Sequence, residues 1–273
     1  MRELFQKNKM LEAINNGRAP IGFFNYIKDT TILDVAGTVG FDFAIIDSEH
    51  AVMDRETIEH MILAAQVNDV VPLVRVPDLI PYLLRNYMEM GAQGILVPHI
   101  TTGEECKKGQ DALRYPPYGT ASCCRSIHSD GYRPANWMDY LDWVQENVSY
   151  IPMIEDPKGV ENLDEILSVL QPGRDMVMFG KADYGQALGT LNRDGSINPA
   201  VNEAYIKTME KCREYNIGFM ACPQTSPGGQ TAADVQKVID EGCSAVVLNT
   251  DQMTLADAFR NVVSRCMDMK IQQ

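Results

Sequence analysis

The chain has 273 residues and a net charge of −13, from 24 basic and 37 acidic residues, with no Lys/Arg stripe. That balance argues against nucleic acid and anionic membrane as partners. Its 45% hydrophobic and 22% charged residues are ordinary for a globular protein, and the length suits a single α/β barrel. None of the seven cysteines forms a C-x-x-C pair, so neither a zinc site nor a redox motif is expected. Cys123 and Cys124 are adjacent, and reduced thiols in a cytoplasmic protein are the simplest expectation. No run approaches ~20 apolar residues, and the first residues lack the apolar region of a signal peptide.

Along the chain, short apolar runs alternate with amphipathic stretches. Strands are expected near 20–27, 41–47, 71–76, 94–100, 149–155, 175–180, 216–221 and 244–249. A helix is expected at the N-terminus, and others near 30–39, 54–68, 78–90, 102–113, 136–147, 159–170, 199–214, 230–241 and 252–267. Eight strands alternating with helices predict one (β/α)8 barrel over residues 1–273. Gly40, Gly91 and Gly242 stand where helices should end. Asp54 with Thr57 and Pro199 stand where helices should begin. Residues 114–135 break the alternation with three prolines and two glycines. A stretch this long and irregular is expected to be functional, with part of it standing where the fifth barrel element would.

Four polar residues fall at or near the ends of buried-looking strands: His50, Arg75, Glu155 and Asp183. A parallel barrel gathers those ends in one mouth, where active sites lie. Glu155 and Asp183 offer the oxygen ligands that Mg²⁺ or Mn²⁺ prefer; helix capping or lysine pairing is the alternative. His50 has the chemistry of a general base, or of a simple hydrogen-bonded histidine. Arg75, inside Leu-Val-Arg-Val-Pro, needs an anionic partner, either structural or from a substrate. Lys181 has the chemistry of a Schiff-base lysine, although a solvated or paired lysine is commoner. Lys158, His99 and His128 read as loop or packing residues. Walker A, G-x-S-x-G and G-x-G-x-x-G motifs are absent. The Gly-Gly at 228–229 is too weak for a phosphate site.

The blocks Gly-Phe-Asp-Phe-Ala-Ile-Ile-Asp-Ser-Glu-His (40–50), Pro-Leu-Val-Arg-Val-Pro (72–77), Gly-Ala-Gln-Gly-Ile-Leu-Val-Pro (91–98), Arg-Tyr-Pro-Pro-Tyr-Gly (114–119), Met-Ile-Glu (153–155) and Gly-Lys-Ala-Asp (180–183) occur in that order. Together with Leu-Gly at 188–189, they resemble the HpcH/HpaI family of metal-dependent aldolases and lyases. The resemblance covers nearly the whole chain. It implies a (β/α)8 TIM barrel of the phosphoenolpyruvate/pyruvate-domain type and a class II aldolase acting on 2-oxo acids and aldehydes.

The resemblance also implies roles. Glu155 and Asp183 match the ligands of a divalent metal (Mg²⁺, Mn²⁺ or Co²⁺). Arg75 matches the enolate-stabilising arginine, and His50 oriented by Asp47 the proton-handling pair. The amides of Ala182 and Asp183 match the substrate-carboxylate contacts, with Gly180 and Lys181 in the same segment. Lys181 replaces the usual proline, Met153 the usual glutamine, and Thr120-Ala121-Ser122 stands where x-Arg-Gly is common. These departures bear on the acceptor pocket. Family members form trimers or hexamers, and the amphipathic segment 252–267 is suited to packing on a neighbouring subunit. The alternatives are a Claisen-type lyase or synthase using a thioester or oxaloacetate, a Schiff-base aldolase at Lys181, and a silent 2-oxo acid binding protein.

Overall fold

A computed structural model describes residues 6–132, 136–190, 197–223 and 230–267. Residues 1–5, the loop end at 133–135 and the glycine pair at 228–229 lie outside them. The strands are β1 (Ile21–Asn25), β2 (Phe43–Asp47), β3 (Val71–Arg75), β4 (Gly94–Val97), β5 (Ser149–Ile154), β6 (Met176–Phe179), β7 (Gly218–Ala221) and β8 (Ala245–Thr250). Each pairs in parallel with the next, and β8 pairs with β1 to close a barrel.

Burial follows the pleat. Inward side chains such as Phe43, Ile45, Leu73, Leu96, Ile151, Met178 and Met220 fill the interior. Outward ones such as Ala44, Ile46, Val74 and Ile95 pack under the helices. Both faces of each strand are therefore apolar, as parallel sheets require. The first helix, α1 (Lys9–Asn15), closes the N-terminal end of the barrel. Its Met10 and Leu11 join the interior cluster beside Phe43, Val71, Met176 and Ala245, all near strand starts.

The outer ring comprises α2 (Thr31–Val39), α3 (Arg55–Val67), α4 (Pro81–Glu89), α5 (Gly103–Ala112), α6 (Trp137–Asn147), α7 (Pro157–Glu161), α8 (Leu163–Val169), α9 (Lys181–Ala187), α10 (Pro199–Glu214), α11 (Ala232–Glu241) and α12 (Asp251–Cys266). The expected caps are present. Asp54 accepts from the Thr57 amide at the start of α3, and Pro199 opens α10. Gly40 and Gly242 end α2 and α11 in the left-handed region, at φ 93° and 108°, where a Cβ would be strained. Among the described residues no helix is long and apolar enough to cross a membrane.

Two expectations are corrected. The helix expected at 159–170 is two pieces, α7 and α8, meeting at Asn162. Helix α9 was not expected at all: Gly180 caps its start, and Lys181, Ala182 and Asp183 form its first turn. The apolar run 175–180 conceals that switch of period, because the strand stops at Phe179.

The 114–135 segment contains no strand among its described residues, and β5 follows α6. Ser129 N donates to Glu89 O at 3.1 Å, and His128 Nε2 lies 2.9 Å from Gln66 Oε1. Thr120 N donates to Asp111 O at 2.8 Å. Gln66, Glu89 and Asp111 sit in the last turns of α3, α4 and α5, the end of the barrel away from its mouth. Within one chain, residues 120–125 therefore do not line the mouth.

Candidate active site

Strand register builds the first half of the mouth. Asp47 and Arg75 end neighbouring strands and pair directly in register, so both side chains point inward together. Arg75 Nη2 forms an ion pair with Asp47 Oδ2 and donates to the Tyr26 hydroxyl at 3.1 Å. Arg75 Nη1 lies 3.0 Å from Glu49 Oε2, and the guanidinium stacks 4.7 Å above the Phe24 ring. Burial disfavours the guanidinium charge. The Asp47 bond and the charges of Asp47 and Glu49 outweigh that, and the Arg75 pKa rises. A buried cation held this way is a rigid positive anchor.

Asp47 is fully buried. Its Oδ1 accepts the backbone amides of Glu49 at 2.8 Å and His50 at 3.3 Å. Asp47 thus shapes the turn that carries His50. The His50 ring itself is exposed, 3.8 Å from Glu49 Oε2. Burial raises the Glu49 pKa, and Arg75 and His50 pull it back.

The second half lies across β4, β5 and β6. Glu155, 2% exposed, follows β5. Its Oε1 accepts the His99 amide at 2.9 Å. Gly180 faces it: a Cβ there would stand 2.3 Å from Glu155 Oε2. Only glycine leaves room for the carboxylate. Burial raises the Glu155 pKa, the His99 amide and ring oppose that, and the charges of Asp183 and Glu49 add to it. The α9 backbone bond from Tyr184 N reaches Gly180 O. The amides of Ala182 and Asp183 precede it and have no acceptor within the helix.

His99 follows β4 at φ 55°, a left-handed conformation costing a non-glycine residue about 1–3 kcal/mol. Its Nδ1 lies 3.0 Å from Asp156 Oδ2 and 3.6 Å from Glu155 Oε1. Burial lowers its pKa, but Asp156, Glu155 and Glu49 together raise it.

The donor set at Glu155 and Asp183 fits a hard divalent cation. Of the described residues, only the His99 ring comes within ion-pair distance of Glu155, so negative charge there exceeds positive. Among the described residues no group of three or more His, Cys, Asp and Glu side chains is arranged to hold a metal ion without further ligands. Two carboxylates with water or substrate oxygens completing the shell is a common arrangement for Mg²⁺.

Most of the expected residues converge. Asp47 and Arg75 touch, the charge of Asp183 raises the Glu155 pKa, and Gly180 abuts Glu155. Lys181 is turned elsewhere: its Nζ lies 3.6 Å over the Tyr205 ring of α10. Sequence reasoning missed Glu49 and Tyr26 as partners of Arg75, and the His99–Asp156 pair. Glu49 lies two residues past Asp47, a spacing that signals a shared direction only if the strand continues, and β2 stops at Asp47.

Residues 20–256 match the HpcH/HpaI aldolase/citrate lyase family. A hydroxypyruvate/pyruvate aldolase from Deinococcus radiodurans is 33% identical over 187 residues, spanning 67% of this chain and 65% of that protein. A 2-keto-3-deoxy-L-rhamnonate aldolase from Escherichia coli (strain K12) is 28% identical over 257 residues, covering 92% and 90%. The crystal structure of the citrate synthase SbnG superposes with a TM-score of 0.81 at 28% identity, covering 94% of this chain and 96% of that one.

Proposed function

The chain belongs to the HpcH/HpaI aldolase/citrate lyase family, and from that premise we propose that it is a metal-dependent (class II) aldolase. As a carbon–carbon lyase it cleaves or forms 4-hydroxy-2-oxo acids through a pyruvate-type enolate. The observation that carries this reading is the buried Glu155 carboxylate, charge-coupled to Asp183 and with Gly180 clearing space for it. The aldolase names of the relatives support it.

In this reading Glu155 and Asp183 hold Mg²⁺, Mn²⁺ or Co²⁺. When bound, such an ion supplies Lewis acidity toward the oxygens of a 2-oxo acid. Arg75, fixed by Asp47, Glu49 and Tyr26, presents preorganised positive charge where the enolate oxygen develops. The amides of Ala182 and Asp183 receive the substrate carboxylate in the segment that starts with Gly180. His50 moves the proton at the acceptor oxygen, its backbone fixed by Asp47. Lys181 supports the fold at Tyr205 and forms no Schiff base.

Deuterium exchange at the pyruvate methyl group, followed by NMR, tests this. Exchange is expected with a divalent ion, and expected to vanish with chelator and in Glu155→Ala. Titration of Mn²⁺ by electron paramagnetic resonance tests the ligands without turnover. Exchange undiminished by chelator would overturn the reading.

The likeness to a citrate synthase favours one second reading: the same enolate attacking a thioester or oxaloacetate. Turnover with oxaloacetate exceeding that with any aldehyde would establish it. The partners proposed are small molecules, and the compartment the cytoplasm.

A homo-oligomer, trimer or hexamer, is part of the proposal. Helix α12 exposes Met253, Leu255, Phe259, Val262 and Val263, an apolar face suited to a neighbouring subunit. A monomer by size exclusion with light scattering would remove this element.

A further inference from the structure

We propose that Asp251, the first residue of α12, is a positioning residue for the reaction: through Tyr26 it sets which edge of the Arg75 guanidinium meets the substrate. This rests on the aldolase reading above and goes beyond it. Strand β1 ends at Asn25, so Tyr26 stands past the ladder and needs another anchor. A register shift between Phe23 and Phe24 sets Thr250 of β8 opposite Phe24, and the next residue, Asp251, falls alongside Tyr26. Both Asp251 oxygens accept the Tyr26 amide, at 3.0 and 3.1 Å. Oδ2 also accepts the Ile27 amide at 3.0 Å and Asn25 Nδ2 at 2.7 Å.

The helix does not explain this carboxylate. Thr250 caps α12, its side chain accepting the Met253 amide at 3.1 Å. Asp251 Oδ1 takes one α12 amide, that of Gln252, and its other donors belong to residues 25–27. Asp251 is only 5% exposed. A buried charge is a costly way to fasten a helix, whereas converging charge-assisted bonds hold a backbone segment firmly.

The segment it holds meets Arg75 twice. Phe24 lies against the guanidinium face at 4.7 Å, and the Tyr26 hydroxyl accepts from Nη2 at 3.1 Å. Nη2 carries two hydrogens; Asp47 Oδ2 takes one and Tyr26 the other. That nitrogen is spent. Arg75 Nε is buried and has no hydrogen-bond partner among the described residues, so the Nε edge is left for an oxyanion. Burial and the charge of Asp47 raise the Tyr26 pKa against the opposing charge of Arg75. The oxygen therefore accepts as a neutral hydroxyl and leaves the guanidinium charge uncancelled. Without the Tyr26 bond, a hydrogen of Nη2 competes for the same oxyanion and the guanidinium plane is free to turn.

The test follows pyruvate methyl exchange with magnesium in Tyr26→Phe, Asp251→Asn and the double variant. Tyr26→Phe should lower kcat about tenfold or more, the scale of one lost hydrogen bond to a charged group, with KM for pyruvate within about twofold. Asp251→Asn turns an NH2 group on the donors of Asn25 or Ile27 and should lower kcat similarly. Asp251→Ser, which keeps an acceptor and adds no opposing donor pair, is the second variant should asparagine prevent folding. The double variant should be no slower than the slower single one, because Asp251 acts through Tyr26. Losses that multiply, a kcat unchanged in Tyr26→Phe, or a loss confined to KM overturn the inference.

A second readout needs neither metal nor turnover. The Arg75 Nε–H resonance, assigned by its loss in Arg75→Lys, should be sharp and slow to exchange with water in the unaltered protein. In Tyr26→Phe and in the Asp251 variants it should exchange at least about tenfold faster. An unchanged resonance in Tyr26→Phe, or in both Asp251 variants, also overturns the inference. Failure of the aldolase reading is separate: pyruvate exchange would then be missing from the unaltered protein, while the Arg75 resonance would still respond to Tyr26 and Asp251.

Discussion

The two sides of the mouth treat buried charge in opposite ways. On the β2–β3 side Arg75 is matched by Asp47, Glu49 and the Tyr26 hydroxyl. On the β5–β6 side Glu155 is matched by one amide and the nearby His99 ring, and Asp183 adds to its charge. The first arrangement holds its cation with groups of the chain, leaving Arg75 Nε and Glu49 Oε2 without a hydrogen-bond partner among the described residues; the second wants a cation. A buried cation held by carboxylates is fixed in place and can still face a substrate, whereas a carboxylate left in excess marks the place of a cation.

Arg75→Met breaks the comparison most severely. It leaves Asp47 buried and unpaired, and the expected loss is about 3–5 kcal/mol in denaturant unfolding. A loss below about 1 kcal/mol would show that the pair is not scaffold. Gly180→Ala strikes the other side. Its Cβ would stand 2.3 Å from Glu155 Oε2, so about 1–3 kcal/mol of stability should go, together with at least about tenfold in Mn²⁺ affinity. Unchanged Mn²⁺ binding would detach Gly180 from the metal site.

Asp130 provides a control for an unmatched carboxylate far from the mouth. It is fully buried, neither oxygen has a hydrogen-bond partner among the described residues, and burial lifts its pKa to about 6. A raised carboxylate pKa means stability present at low pH and lost as pH rises through about 6. Asp130→Asn should therefore stabilise by about 1–2 kcal/mol at pH 8 and by nothing below about pH 4. Thermal unfolding across pH checks this, and chelator should not alter the result.

Glu155→Gln has the smallest effect without metal and the sharpest contrast with it. Without metal the raised Glu155 pKa has the same sign, so the variant should be the more stable near pH 8, and that gain should disappear in acid. With Mn²⁺ at a hundred times its dissociation constant the order reverses, because the unaltered protein gains about 2.7 kcal/mol. A variant equally stabilised by Mn²⁺ would remove Glu155 from the metal site.

Much of this was legible in the chain. The runs at 41–47, 71–76 and 149–155 are apolar on both faces, and β2, β3 and β5 form there. Arg75 inside such a run already demands a partner. The partner itself was not legible: Asp47 meets Arg75 only through register between β2 and β3. Nor was α9, since Gly180 reads equally as a strand end or a helix cap. Part of the 114–135 segment was expected to stand as the fifth barrel element, and its described residues hold no strand, because irregular composition shows that a stretch is a loop and not what it packs on.

The sequence by itself determined eight strands, their order and the residues carrying charge to their ends. Apolar periodicity and caps act over a few neighbouring residues, so they are written locally. Only the tertiary structure decided which charges are neutralised, that Lys181 lies on Tyr205, and that His99 bridges Asp156 and Glu155. Those outcomes depend on strand register and barrel closure, which bring together atoms tens of residues apart, and Coulomb energy is set by that separation and by burial.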